Sequence, residues 1–281
     1  MNKEKIECYK QNVQINLFSS KTFKIFMANI IVAFCFFSIS ITSTHYSADF
    51  FSTYFKSSAK QHLNLGRVFH YLIYEMLEHL GVQIEHHVIF NQIFLTFIIA
   101  ILATIVWRLF ATSFEIDNYK TAIILDAIVL LNFLNINILE GWYIFSETCF
   151  GGAISLTISY CAICSFCKGK TFREYLKSYI FLSVALGMYQ VYIESFLIMC
   201  ATYILIKNNC ILNKQMCWGF GKIILVGGLA SICSILLTRI LEFLKISTEN
   251  DRTASININT IIKNGSEIMN NILTVFDDYH G

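Results

Sequence analysis

The chain has 281 residues, of which 56% are hydrophobic and only 14% are charged, and its formal net charge is +2. Soluble domains carry about 25% charged residues, so this composition leaves too little charge to cover a water-facing surface. Apolar runs recur along the chain, and about 20 such residues suffice to cross a bilayer. The composition therefore indicates an all-α, polytopic transmembrane protein. The sequence has no block of basic residues, which argues against a nucleic-acid partner.

The first apolar run, about 25–43, predicts an uncleaved membrane span. Because Lys and Arg favour the cytoplasmic side of a membrane, the amino terminus is expected in the cytoplasm and the loop 44–86 outside. The basic residues that precede or enter this run are Lys3, Lys5, Lys10, Lys21 and Lys24.

Further spans are predicted downstream, and the basic loop 168–177 is expected inside because it sets four Lys or Arg residues against the single acid Glu174. With the ambiguous segment described next, the total is about six or seven membrane segments in a single domain, 1–281. The predicted spans are about 87–110, 121–139, 142–167 and 222–243.

The segment "YIFLSVALGMYQVYIESFLIMCATYILIK" is too long for one upright span and too short for two ordinary ones. It is either one tilted helix or two short, half-depth helices that turn near 187–190. The second arrangement is favoured because it returns Lys207, Lys214 and Lys222 to the cytoplasmic side.

Two surface helices are predicted. In the outer loop, apolar residues recur every three to four positions from Leu65 to Leu80, with Arg67, His70 and Tyr74 on the other side. This pattern indicates an amphipathic helix on the membrane surface, with its polar side toward a cavity or water. A similar pattern predicts an interfacial helix at 256–276.

Asp49 and Arg67 are the first candidate site residues. Arg67 is expected at headgroup depth, where its planar guanidinium can grip a phosphate with two hydrogen bonds. Asp49 follows the first span at the same depth, so its carboxylate could take a proton from a sugar hydroxyl. The alternative is that Asp49 only solvates a helix end and that Arg67 snorkels to lipid headgroups.

Other polar residues are predicted to converge on the same outer cavity, because ionisable groups at membrane depth usually face a cavity or a partner. Glu147 and Arg239 fall in the outer half, and Gln190 approaches from mid-depth. Tyr189 and Tyr74 are candidate cavity residues. Asp126 is the weakest candidate because it falls in the cytoplasmic half.

No metal or other cofactor is predicted. Cys161, Cys164 and Cys167 follow a C-x-x-C-x-x-C spacing, but they end a predicted span without a second ligand cluster. His79, His86 and His87 are interpreted as interfacial residues, because no carboxylate accompanies them at ligand spacing.

Several short segments together resemble the GtrII-type glucosyltransferases, which are polytopic enzymes that modify bacterial O-antigens. The similar segments are "LNLGRVFHYLI", "YIFSE" and "LSVALGMYQVYIESFLIMCATYIL", and they occur in the family's order. The resemblance covers about residues 20–245. It implies a GT-C-like membrane glycosyltransferase with Asp49 as the catalytic carboxylate. In the mechanism expected here, Asp49 acts as general base, Arg67 and Arg239 stabilise charge on the donor phosphate, and Glu147 is the second candidate carboxylate.

The resemblance also implies the partners: an undecaprenyl-phosphate-linked hexose, a lipid-linked glycan acceptor and membrane lipid, with the active side in the periplasm of a bacterial inner membrane. Two departures from the family are visible. A single acid, Asp49, stands where the family commonly has two, and the family's members run longer, which predicts a shortened member. A non-enzymatic membrane protein or an inactive remnant is the alternative function.

Overall fold

The computed structural model describes residues 20–42, 58–64, 66–116, 118–134 and 149–244. These residues form α-helices and one short 3-10 helix at Ile84–His86, and no strand is found among them. The α-helices in chain order are α1 Ser20–Thr42, α2 Ser58–Asn64, α3 Val68–His79, α4 Val88–Ser113, α5 Tyr119–Phe133, α6 Cys149–Lys168, α7 Phe172–Met188, α8 Tyr192–Lys207 and α9 Lys214–Phe243. The all-α prediction is confirmed over this part of the chain.

Helix α6 lies at the centre of the bundle. It packs against α4, α7 and α8, while α9 packs on α7 and α8, and α1 packs on α4. Leu156, Tyr160 and Ile163 of α6 are fully or almost fully buried. The Tyr160 ring stacks on Phe133 of α5 at 4.3 Å between centroids. The core is therefore built around one apolar helix that is enclosed on several sides.

The ambiguous segment consists of two antiparallel helices. Helix α7 ends at Met188, where Tyr189 takes an extended conformation, and α8 begins at Tyr192. Along α6, the Ser155 hydroxyl donates to the carbonyl of Ala185 near the end of α7. The Tyr192 hydroxyl, at the start of α8, donates to the carbonyl of Gly152. The predicted turn is thus present.

The two helices are longer than the half-depth pieces that were predicted. Helix α7 has 17 residues and α8 has 16, or about 25 Å each at 1.5 Å per residue. Both run along most of α6, because α6 and its neighbours bury apolar side chains over that whole length. The turn, with Gln190, consequently lies at one end of the bundle and not at its mid-depth.

The bundle has two ends with different side chains. At one end, which we call the lysine end, the ammonium of Lys222 donates to the Tyr175 hydroxyl at 3.0 Å, and Lys207 lies over the Tyr203 ring. At the other end, which we call the Arg67 end, the turn before α3 meets α7 and α9. Lys207 and Lys222 therefore lie at the same end of the bundle, as the hairpin arrangement requires.

Four of the described helices are long and apolar enough to cross a membrane, namely α1, α4, α6 and α9. Helix α5 has 15 residues and, like α7 and α8, falls short of the usual length for a span. The predicted total of six or seven spans is thus matched only in part. The last helix begins at Lys214, eight residues before the predicted start at Lys222, because Asn213 caps it by accepting a hydrogen bond from the Met216 amide at 2.8 Å.

Helix α3 forms where the outer-loop pattern predicted it, but part of its predicted polar side faces protein. His70 and Tyr74 are buried, whereas Leu72, Met76 and Leu80 are at least half exposed. This correction has a physical cause: apolar side chains on the outside of a membrane protein meet lipid at little cost, so the inward face is free to carry polar aromatic residues.

A buried polar cluster joins three helices in the lysine half of the bundle. The Asn29 amide of α1 donates to Thr104 of α4 and to the carboxylate of Asp126 of α5, each at 3.2 Å. All three side chains are buried. Asp126 is therefore a packing partner between helices, away from the Arg67 end, as its sequence position suggested.

Candidate active site

Arg67 lies in a tight turn between α2 and α3. Gly66 has a φ of +73°, a conformation that glycine adopts without strain. The Gly66 amide donates to the Leu63 carbonyl and the Arg67 amide to the His62 carbonyl, each at 2.9 Å. The turn thus fixes the Arg67 backbone against the end of α2.

The Arg67 side chain lies on an aromatic ring. Its guanidinium carbon is 4.3 Å from the centroid of the Tyr189 ring, at the break between α7 and α8. A cation held over an aromatic face gains about 0.5–2 kcal/mol. A guanidinium carries five N–H donors, so one ring contact leaves donors able to bind an anion.

Three close contacts hold the segment that carries Arg67 against three helices. A Cβ added at Gly151 of α6 would overlap the His70 imidazole, and one added at Gly187 of α7 would come within 2.6 Å of Phe69 Cδ2. On α9, Thr238 lies 3.1 Å from the position a Cβ would take at Gly66. The absence of side chains at these glycines lets α3 approach the bundle closely.

Two histidines stack beside Arg67. The rings of His62 in α2 and His70 in α3 are 4.0 Å apart and nearly parallel, and both meet the Tyr74 ring edge-on. Burial, and then the nearby Arg67 charge, lower the pKa of His62 to about 3. Burial, then His62 and Arg67, hold the pKa of His70 well below its usual range. Both rings are therefore neutral in the folded protein at ordinary pH.

The other predicted site residues are distributed unevenly around this turn. Gln190 is exposed beside Tyr189 at the Arg67 end. Tyr74 is 1% exposed and packs in a small cluster with Ala59 and Ile84, so it does not line an open cavity. Arg239 follows Thr238 on α9 but pairs with Glu242 at 2.7 Å.

The two predicted catalytic acids, Asp49 and Glu147, lie outside the described residues, as does the predicted helix at 256–276. The structure therefore assembles the candidate phosphate-binding half of the site, Arg67 with Tyr189.

The sequence did not single out His62 or Gly151, and it placed Gly187 in a turn and not at a contact between helices. The two histidines are eight positions apart with a turn between them, so no helical period relates them. The glycines did carry a signal, because glycine inside an apolar helix lowers helix propensity and usually marks a close approach. What approaches each glycine could not be known before the helices were assembled.

The helices, their apolar surfaces and the clamped arginine define a helical membrane protein with a candidate anion-binding site at one end of its bundle. Residues 38–280 match the family model described as Glucosyl transferase GtrII, and the chain belongs to this family. The resemblance noted from the short segments is thus confirmed. Membership supports a membrane glycosyltransferase. Neither the curated proteins nor the solved structures contain a match to the chain.

Proposed function

We propose that this chain is a single-domain glucosyltransferase of a bacterial inner membrane. It moves a hexose, glucose, from undecaprenyl phosphate to a lipid-linked O-antigen or other surface glycan on the periplasmic side. The observation that carries the proposal is the clamped guanidinium of Arg67 on Tyr189, in a chain of the GtrII family.

The proposed reaction is a displacement at the anomeric carbon. The acceptor hydroxyl oxygen forms a bond to this carbon, and the bond from the carbon to the phosphate oxygen breaks. The hydroxyl proton passes to the carboxylate of Asp49 as general base, and Glu147 is the second acid considered for this role. The polyprenyl phosphate leaves with its charge balanced by Arg67, with Arg239 as a further cation.

The orientation of the bundle supports a donor site on the periplasmic side. Lys207 and Lys222 lie at the end opposite to Arg67, and lysines favour the cytoplasmic face. In this orientation Arg67 lies at the outer interface, where a lipid phosphate is found. Gln190, exposed next to Tyr189, is then within reach of the sugar, while Tyr74 supports the turn from inside.

The test is transfer of labelled glucose from the polyprenyl-phosphate donor in membranes, with protein amount measured by immunoblot. Asp49→Asn keeps the shape of the side chain but removes the proton acceptor, so we expect a loss of roughly 10²–10⁴-fold in rate. Wild-type protein that transfers no sugar would contradict the proposed function. An active wild type with an equally active Asp49→Asn would remove Asp49 from the mechanism and make Glu147 the acid to test.

Arg67→Lys tests the phosphate site in the same assay. Lysine keeps the charge but loses the planar fork, so we expect weaker donor use at unchanged protein level. Arg173→Lys, on an exposed arginine at the start of α7, is the matched control and should leave transfer unchanged. Equal transfer by wild type and Arg67→Lys would contradict a bidentate role for Arg67.

A further inference from the structure

The stack of His62 on His70 connects two of the contacts that hold the Arg67 turn in place. His62 belongs to α2, and its backbone carbonyl accepts the Arg67 amide at 2.9 Å. His70 belongs to α3 and lies directly on Gly151 of α6. The two rings, 4.0 Å apart, thus join α2 to α3 and place both against the bundle.

The stack is buried, and its ring nitrogens have few hydrogen-bond partners. His70 is 0% exposed and His62 is 6% exposed. Both nitrogens of His70 and Nδ1 of His62 are buried, and no hydrogen-bond partner for them is found within the described part of the chain. A buried imidazolium would need partners for its N–H groups, so the arrangement tolerates neutral rings and penalises charged ones.

The charges around the stack also disfavour a proton on the histidine rings. Arg67 repels a proton on either ring, and a charged His62 repels a proton on His70. Tyr74 of α3 meets both rings edge-on. Helix α6 presents the uncharged Gly151, and α7 presents the backbone of Met188, a weak contact that only partly opposes the shift in the pKa of His70.

We propose that His62 and His70 are positioning residues for Arg67. Their uncharged stack holds the turn between α2 and α3 against α6, and a proton on either ring releases the turn and the arginine with it. This inference rests on the proposed function only in assigning Arg67 to the donor phosphate; the release itself is a property of the fold.

The sign follows from linkage. A released histidine takes up a proton with an ordinary pKa near 6.5, whereas the stacked one does not at that pH. The docked form is therefore most favoured above about pH 6.5, and the ratio of docked to released form falls as the pH drops below that value. Between pH 8 and pH 5 the ratio of released to docked form should rise about 30-fold for each histidine that titrates.

The experiment measures this ratio by cysteine labelling of the full chain in lipid nanodiscs, after replacement of the native cysteines. Val68→Cys reports release, because Val68 is 9% exposed. Gln83→Cys, just after α3, is the reference, because Gln83 is polar and exposed. The ratio of the two labelling rates with a membrane-impermeant thiol reagent cancels the pH dependence of the thiol. Labelling of a buried site follows the open population even when that population is small.

From pH 8 to pH 5 we expect the Val68→Cys to Gln83→Cys rate ratio to rise about 30-fold for each histidine that titrates, or about 900-fold for both. His62→Phe keeps a ring on His70 but cannot titrate, so it should reduce the rise to that of one histidine. His79→Gln changes an exposed histidine of the same helix, with a side chain 74% exposed, and should leave the full rise. A flat wild-type ratio would overturn the proposal, as would a rise that His62→Phe leaves intact.

The wild-type profile decides the matter even if His62→Phe fails to accumulate. Labelling needs no sugar transfer, so the outcomes separate. A pH-dependent ratio in a chain without transferase activity would contradict only the proposed function. A flat ratio in an active chain would overturn only the role of the histidines.

Discussion

At the scale of single residues, two charged side chains, those of Arg67 and Asp126, are each held by one specific partner. The Tyr189 ring lies 4.3 Å from the guanidinium carbon of Arg67, and this cation–π contact restricts the positions that the side chain takes. Inside the bundle the Asn29 amide donates to the Asp126 carboxylate at 3.2 Å, since a lone carboxylate there would lack solvation. Each arrangement predicts the effect of removing one partner.

The ring under Arg67 gives the first prediction. Tyr189→Phe keeps the aromatic face and should retain donor use, whereas Tyr189→Leu removes a cation–π contact of about 0.5–2 kcal/mol, or about 2- to 30-fold in donor KM. Steady-state kinetics of sugar transfer in membranes measures the difference. Equal KM values for the leucine and phenylalanine variants would show that the ring does not orient Arg67.

The buried polar pair gives the second prediction. Asn29→Leu leaves Asp126 without its amide donor and should lower the free energy of unfolding by about 1–3 kcal/mol. The double variant Asn29→Leu/Asp126→Leu removes both polar groups and should recover most of that loss. Thermal unfolding in nanodiscs measures both, and a double variant less stable than the sum of the single changes would contradict this account.

At the scale of helices, glycines decide how closely the elements approach. Helix α3 can dock only because α6 and α7 carry Gly151 and Gly187 where His70 and Phe69 arrive. On α9, by contrast, Gly221 and Gly228 face open space. Glycines within apolar helices therefore differ in whether a neighbouring helix depends on their lack of a side chain.

This difference gives the third prediction. Gly151→Ala forces a methyl group into the His70 ring, and overpacking of this kind costs about 1–3 kcal/mol, so α3 should be displaced and sugar transfer reduced. Gly228→Ala is the matched control within an apolar helix and should be neutral or slightly stabilising, because alanine favours helix over glycine. Thermal unfolding and transfer rates are the measurements. A tolerated Gly151→Ala would mean that α3 does not depend on this approach.

At the scale of the whole molecule, the hairpin of α7 and α8 separates the chemistry of the two ends. It returns Lys207 to the lysine end, from which α9 runs toward the Arg67 end, where Thr238 meets Gly66. The bundle thus presents lysines at one end and the clamped arginine at the other. Lysines favour the cytoplasmic side.

This arrangement gives the fourth prediction, on topology. Alkaline phosphatase is active only outside the cytoplasm. A fusion after Leu212 should therefore be inactive and a fusion after Leu244 active, because α9 separates the two points. A fusion after Lys170 should match the one after Leu212. Activity after Leu212 together with inactivity after Lys170 would indicate that α7 and α8 form one continuous span.

Much of this protein could be predicted from its sequence because the bilayer is a simple solvent. Apolar runs long enough to cross it give α1, α4, α6 and α9, each with a carboxyl-terminal end within three residues of the predicted one. The lysines indicate where the chain must turn back between α7 and α8. Helix α3 likewise follows from local pattern, because amphipathicity is a property of neighbouring residues. The turn at Gly66 and Arg67, which the predicted helix from Leu65 had included, was not predicted.

Only the tertiary structure decided which residues meet. Three contacts join residues that are far apart in the chain or separated by a turn. They are His62 on His70, His70 on Gly151 and Arg67 on the Tyr189 ring. Periodicity shows which side of a helix is apolar. It does not show which side faces the protein, because in lipid an apolar side can face outward at little cost. Tyr74 and His70 therefore turned inward, where the pattern had predicted a cavity or water. The sequence by itself determined the class of the protein and the course of its helices, and their packing determined what surrounds the arginine.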